Sequence, residues 1–235
     1  MFKESAEFYD AIYGFKDYAA EAARVAAVVR FVHPGARTVL DVACGTGQHA
    51  RLLSQDHGFE VDGLDLDAEL LRIARQKHPS GRFFEADMSD FDLEQRYDAV
   101  LCLFSSIGYL VTLERVRRAF VCFRRHLNPR GALLVEPWFP PGGLDAGRVF
   151  RQTGTYQETR VERISRNEID GRISRLHFDY RIESSAGIRH ATEVHELGLF
   201  TADEMRTTFE EAGLRAEFDP IGPSGRGLWV AVDAA

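Results

Sequence analysis

Val39-Leu40-Asp41-Val42-Ala43-Cys44-Gly45-Thr46-Gly47 is the stretch on which the fold turns. Residues 37–42 gather β-branched and aliphatic side chains between turn signals, the mark of a short buried strand. The glycines that follow allow positive φ and a close approach of backbone to a ligand. A helix running from there to about residue 56 adds unpaired N–H groups at its start. Downstream, residues 59–65 read as a second strand that ends in Asp65, where an acid can accept both hydroxyls of a ribose, as in dinucleotide folds.

The same alternation extends on both sides. Asp17 caps a helix over 17–32 that Pro34-Gly35 breaks. Asp67 caps another to about Lys77, ended by Pro79 to Gly81. Strands follow at 82–86 and 97–103; Thr112 caps a helix to about Leu127, with Asn128-Pro129-Arg130-Gly131 as its stop and a strand at 132–136. Strand and helix in turn predict an α/β fold: a doubly wound, mostly parallel sheet with helices on both faces.

After Glu136 the pattern changes. Residues 137–147 hold three prolines and three glycines and predict a surface loop. Residues 153–198 alternate with period two, as in Arg175-Leu176-His177-Phe178-Asp179-Tyr180-Arg181-Ile182, and predict an inserted antiparallel sheet covering one end of the core. Thr201-Ala202-Asp203-Glu204 is a capping box for a helix to about Ala212, stopped by Gly213, and 214–219 with 227–232 form a closing hairpin. The expected organisation is a core over 1–140, the inserted sheet over 141–198 and completion of the core over 199–235.

Composition narrows the function. The 235 residues are 45% hydrophobic, enough for a proper core. A net charge of −7 makes a nucleic-acid partner a poor expectation, because an acidic chain repels phosphate backbones. Cys44, Cys102 and Cys122 form no CxxC pair and no zinc spacing, so a reducing, cytoplasmic setting and no metal are expected. The start, Met1-Phe2-Lys3-Glu4-Ser5, has no apolar leader region behind it, and no apolar run reaches membrane-spanning length.

Motif and spacing together carry a resemblance. Residues 39–47 resemble motif I of the class I S-adenosylmethionine (SAM) methyltransferases, D-x-[GA]-x-G-x-G, rather than a dinucleotide GxGxxG. The resemblance implies SAM as cofactor on a seven-stranded sheet. The matching residues are Ala43 and Gly45 at the methionyl part, Asp65 on the ribose and Leu66 beside the adenine. Asp87 and Met88 bracket the adenine, and Leu103 joins this set at the end of the fourth strand. A mildly acidic site suits a sulfonium cation. For the carboxylate tail of SAM, Tyr18, Arg24 and Arg30 are candidates; the resemblance favours Tyr18, and a solvated helix face accounts equally for the two arginines.

A narrower resemblance covers nearly the whole chain. Tyr9 to Tyr18, Phe104-Ser105-Ser106-Ile107-Gly108, Val135-Glu136-Pro137-Trp138, Leu199-Phe200-Thr201 and Gly222 to Leu228 are similar to segments of the N,N-dimethyltransferases that act on TDP-linked amino sugars in macrolide and related antibiotic pathways. One position departs: Tyr109 stands where that family carries a histidine near the reacting amine. The implied reaction is in-line methyl transfer to a neutral amine, which demands chiefly orientation, with a base only to manage the amine's proton. Tyr13 and Tyr109 are the expected catalytic orienters, with Tyr9, Ser106, Glu136, Trp138 and Arg226 around the substrate. Tyr9 and Tyr13, four apart, would share a helix face and serve equally as a staple for the first helix. Arg226, between glycines, suits a diphosphate, and Arg148 and Arg151 are further candidates. His177, His190 and His195 are read as inter-strand polar residues. The family implies a homodimer built on the inserted sheet.

Two other readings stay open: a SAM methyltransferase of another small amine or a hydroxyl, and a SAM- or nucleotide-binding module without turnover. Nucleic-acid methylation fits poorly, since 103–106 read Leu-Phe-Ser-Ser rather than Asn/Asp-Pro-Pro-aromatic.

Overall fold

The alternation read from the sequence resolves into two sheets, of seven and four strands. A computed structural model describes residues 5–234, so the reading of Met1 to Glu4 lies outside them. A short 3-10 turn, Ala6–Phe8, leads into α1 (Tyr9–Ile12). Next come α2 (Tyr18–Val32), β1 (Thr38–Val42), α3 (Gln48–His57), β2 (Glu60–Asp65), α4 (Ala68–Lys77) and β3 (Phe83–Glu85). β4 (Tyr97–Cys102), α5 (Leu113–Arg125) and β5 (Leu127–Val135) close the first part. The second sheet is β6 (Val149–Tyr156), β7 (Thr159–Asp170), β8 (Ile173–Ser184) and β9 (Gly187–Gly198). The chain then returns through α6 (Ala202–Glu211), β10 (Leu214–Asp219) and β11 (Leu228–Asp233).

The large sheet has the order β10-β11-β5-β4-β1-β2-β3, and only β11 runs antiparallel to its neighbours. It is the doubly wound sheet that the alternation predicts. β1 lies between β2 and β4, so the chain order reverses there and a crevice opens at the carboxyl ends of these strands. Caps fix where helices begin: Asp17 accepts from Ala20 N at 2.9 Å, Asp67 from Glu69 N at 3.1 Å, and Thr201 and Glu204 form the reciprocal box. One face of the sheet is sealed by α5 and α6, where Phe120 and Phe209 stack at 3.9 Å with Trp229 at 5.5 Å from Phe209. On the other face, Val25, Val29 and Leu53 of α2 and α3 pack on Val39, Leu101 and Leu134.

One boundary differs from expectation. The helix ends at Arg125 rather than near Leu127, and Asn128 to Gly131 lie inside β5. Leu127 pairs with Tyr97 and Ala132 with Ala99, so these residues bulge out of the strand as extra length, and Arg130 takes a φ of 66° to allow it. A turn signal read as a helix stop is thus a strand bulge, with Asn128 tied to Asp98 at 2.8 Å. The first strand of the inserted sheet likewise starts at Val149, ahead of the expected 153.

The inserted sheet turns Val161, Phe178, Tyr180 and Ile182 against Phe8 and Ile12 of the N-terminal segment. Its other face carries cross-strand ion pairs such as Arg166–Asp179 at 2.8 Å and Arg175–Asp170 at 2.8 Å. β6 lies directly on α1: a Cβ at Gly154 would sit 2.3 Å from the Ala11 carbonyl oxygen, so only glycine fits there. Among the described residues no helix is long and apolar enough to cross a membrane.

Candidate active site

At the end of β1 the chain must turn sharply into α3, and Ala43, Gly45 and Gly47 do so with φ of 57°, 56° and 73°. Asp65, ending β2, staples this turn. Its carboxylate accepts Gly45 N at 2.8 Å and Asp67 N at 2.9 Å. Burial pushes the Asp65 pKa up, against the pull of these amides. Asp87, after β3, accepts from Ser89 N at 2.8 Å, Ser89 Oγ at 2.7 Å and Arg115 Nη2 at 2.8 Å. Partial burial raises its pKa, but these donors outweigh it and hold the carboxyl below the ordinary range.

A cleft of about 750 Å³ runs from these carboxylates to the inserted sheet. Ala43, Gly45, Asp65, Leu66, Asp87 and Met88 line one end. Tyr9, Tyr13, Ser106, Tyr109, Trp138 and Arg226 line the other. Tyr18 and Leu103 instead border a small side recess shared with Asp41, Gly45 and His49. Of the other arginines considered, Arg24 pairs with Asp219 at 3.0 Å, Arg30 caps the His57 carbonyl and Arg151 pairs with Glu162, all outside the cleft, while Arg148 lies on its rim.

Asp41 is 2% exposed and its Oδ2 has no hydrogen-bond partner. Burial lifts its pKa from 3.8 to about 7, with His49 pulling down and Asp65 pushing up. A carboxyl whose native pKa exceeds its unfolded one costs stability as pH rises from the unfolded value through the native one. In cofactor-free protein, Asp41→Asn should therefore gain on wild type as pH climbs from about 4 to about 8 and level off above that, read from urea midpoints. Parallel wild-type and variant curves would show that Asp41 is solvated.

At the acceptor end, Phe104 and Ser105 follow β4 in left-handed conformations, φ 53° and 62°, which non-glycine residues hold only under constraint. Glu136 supplies it. The expected substrate contact is instead 1% exposed, behind the cleft wall: it accepts Phe104 N at 2.8 Å and the Ser224 hydroxyl, and faces Arg226 at 3.8 Å. Arg226 also donates to Ser105 Oγ at 3.2 Å and lies over the Phe104, Trp138 and Phe139 rings. The Tyr9 and Tyr13 rings lie 4.6 Å apart, tilted by 49°.

Three cleft-side groups take places that the sequence does not announce. Lys16 sits over the Phe104 ring and pairs with Glu21 at 2.9 Å; burial lowers its pKa. Arg163, 4% exposed on β7, donates to Tyr13 Oη at 2.8 Å and lies 4.6 Å from the Tyr13 and Phe178 ring centres. His195, 2% exposed on β9, meets Tyr109 Oη through Nδ1 at 2.8 Å. It is inter-strand, as read, but it also backs the cleft. The available signal was alternation: Arg163 and His195 fall on the buried phase of their strands.

A methyltransferase-domain family model matches residues 39–131. The dTDP-3-amino-3,6-dideoxy-alpha-D-glucopyranose N,N-dimethyltransferase of Streptomyces fradiae is 41% identical over 99% of this chain and 92% of its own. The crystal structure of Streptomyces venezuelae DesVI superposes with a TM-score of 0.92 at 38% identity, covering 98% of this chain and 99% of that one. SAM-bound CalS10, an amino pentose methyltransferase from Micromonospora echinaspora involved in calicheamicin biosynthesis, gives 0.85 at 36% identity over 95% of each chain.

Proposed function

This chain belongs to the SAM-dependent methyltransferases of TDP-linked amino sugars, and from that premise we propose that it transfers one or two methyl groups to the amine of a nucleotide-linked amino sugar. The observation that carries the reading is the single cleft. One end offers the turn and carboxylates that suit a nucleoside sulfonium, and the other offers tyrosines and arginines that suit an aminated, phosphorylated sugar.

The residues present fit SAM by their chemistry. Asp65 has two carboxylate oxygens on the cleft, each with one backbone donor and room for a hydroxyl. Asp87 offers a second acceptor, and among the described residues no ion pair is formed at Asp65 to compete with a sulfonium charge. Leu66 and Met88 supply apolar cover for an adenine. When bound, SAM supplies an electrophilic methyl group. The protein's part is orientation and exclusion of water. Arg163 can only donate, so Tyr13 Oη accepts from it and keeps its own O–H for the cleft. Tyr13 thus presents a donor to a sugar hydroxyl. Arg226, and Arg148 at the rim, answer a diphosphate.

The test is to incubate the protein with SAM and TDP-3-amino-3,6-dideoxyhexose and weigh the products. Gain of one or two CH₂ units supports the reading; no gain with SAM binding intact moves the acceptor to another small amine or a hydroxyl, the reading that Tyr109 at the family's histidine position favours. S-adenosylhomocysteine formation with any acceptor removes the binding-module reading.

The chain is further proposed to act as a cytoplasmic homodimer. Three free thiols suit a reducing compartment, and Ile188 and Val194 leave apolar area on the inserted sheet. A monomer mass by light scattering at high concentration would overturn the dimer.

A further inference from the structure

The cleft wall at Tyr109 opens onto a buried polar chain that orientation alone does not require. Tyr109 stands in the 3-10 turn Ser106–Leu110. Gly108 beside it lets β9 come close: a Cβ there would lie 3.0 Å from Leu197 and 3.0 Å from Trp138. Period-two alternation puts Glu193, His195 and Leu197 of β9 on the same buried face. Tyr109 Oη meets His195 Nδ1 at 2.8 Å, and His195 Nε2 faces Glu193 Oε2 at 3.4 Å.

Donor and acceptor roles follow from Glu193. Ser5 Oγ donates to it at 3.0 Å and Tyr180 Oη at 3.1 Å, and His195 Nε2 is turned toward it as well. Donors converging on one carboxyl call for its ionised, acceptor-only form. With a single ring proton on His195, that proton therefore sits on Nε2, Nδ1 is the acceptor, and the Tyr109 O–H points inward at it. The Tyr109 oxygen is left facing the cleft as an acceptor, opposite in polarity to Tyr13. Besides His195, the charged and titratable groups around Tyr109 are Tyr9, Tyr13, Tyr180, Arg163 and Asp65. Arg163 has tyrosine and glutamine oxygens for partners and no carboxylate within ion-pair distance among the described residues. A second cation held beside that guanidinium is disfavoured.

We propose that His195, backed by Glu193, receives the proton of the methylated amine through Tyr109 and so governs whether a second methyl is added; this rests on the amino-sugar reading above. The first transfer leaves a secondary ammonium, whose nitrogen has no lone pair. One N–H bond breaks and its proton bonds to Tyr109 Oη. The existing Tyr109 O–H breaks at the same time and its proton bonds to His195 Nδ1. The nitrogen recovers its lone pair, and the positive charge moves onto an imidazolium facing the Glu193 carboxylate. The proton goes to water when product leaves. Tyr109 touches the substrate; His195 and Glu193 are positioning residues that act through it.

The experiment compares wild type, His195→Asn and Tyr109→Phe with SAM and either TDP-3-amino-3,6-dideoxyhexose or its monomethylamino form, at neutral pH and near the pKa of the amine. The asparagine carbonyl can still accept the Tyr109 O–H but takes no proton. His195→Asn should keep SAM affinity and sugar KM, slow the second transfer roughly tenfold or more at neutral pH so that monomethyl sugar accumulates, and regain dimethylation at high pH, where water delivers the neutral amine. Tyr109→Phe, which disturbs no buried charge, should accumulate monomethyl sugar too. A wild-type product ratio in both variants, or a loss in second transfer that high pH does not restore, overturns the relay and leaves the function standing. A wild type that methylates neither sugar overturns the relay together with the reading beneath it.

Discussion

Asp65→Ala is expected to weaken SAM binding about 10- to 150-fold, because hydrogen bonds to a charged group are worth about 1.5–3 kcal/mol. The carboxylate does two jobs. Its cleft side is, on the proposed reading, the acceptor for a ribose diol, and its backbone side holds Gly45 N and Asp67 N, so that the turn after β1 and the start of α4 are fixed relative to one another. The alanine variant loses both, whereas Asp65→Asn keeps one carbonyl acceptor and should lose less. Calorimetric titration with SAM measures it. Because burial raises the Asp65 pKa, wild-type affinity should also fall on acidification sooner than an ordinary carboxylate would require, and the alanine variant should lack that fall. Undiminished SAM affinity in Asp65→Ala would remove the cofactor from this end of the cleft.

Arg226→Ala should raise the KM for a TDP-sugar by a similar about 10- to 100-fold, the worth of a charge-assisted contact to phosphate, and leave SAM affinity where it was. The substitution also withdraws a counter-charge from Glu136, which is 1% exposed and braces the left-handed residues Phe104 and Ser105. Arg226→Lys separates the two effects. It keeps the charge facing Glu136 but not the planar fork, so a KM between those of wild type and alanine marks phosphate recognition. If the lysine variant is wild-type and the alanine variant loses kcat rather than KM, Arg226 serves Glu136 and not the sugar.

The turn and carboxylates proposed to hold the cofactor were legible because local chemistry decides them. A strand, a glycine turn and an acid at the next strand end occupy few residues, and each leaves its own mark, as do the side-chain caps at Asp17, Asp67 and Thr201. The acceptor half was legible only in part. Tyr9, Tyr13, Tyr109 and Arg226 do meet on one cleft, yet Glu136 looks like a substrate contact in sequence and is a buried brace in three dimensions. Arg163 goes unmarked in the sequence, and His195 reads only as an inter-strand residue, because an alternating strand shows two faces, and polar residues on the buried one resemble the solvent pattern shifted by a residue. Only the packing of α1 and the Tyr109 turn against the inserted sheet says which face is inside. Asn128 to Gly131 misled for a related reason: a proline–glycine cluster marks a break in regularity, and a strand bulge breaks it as well as a helix end does.

The contact between Gly154 and Ala11 has a bearing on how such enzymes diverge. Two of the tracts that line the cleft, the N-terminal segment and the inserted sheet, lie far apart along the chain, and they meet at a seam too tight for a methyl group. Transplanting the inserted sheet alone from a relative would set a foreign strand on the native N-terminal helix at that seam, displacing the tyrosines that helix carries. A graft that moves residues 5–13 together with 149–198 keeps the seam intact. A change of acceptor preference in this chain would then call for paired change at both tracts rather than exchange of one cassette.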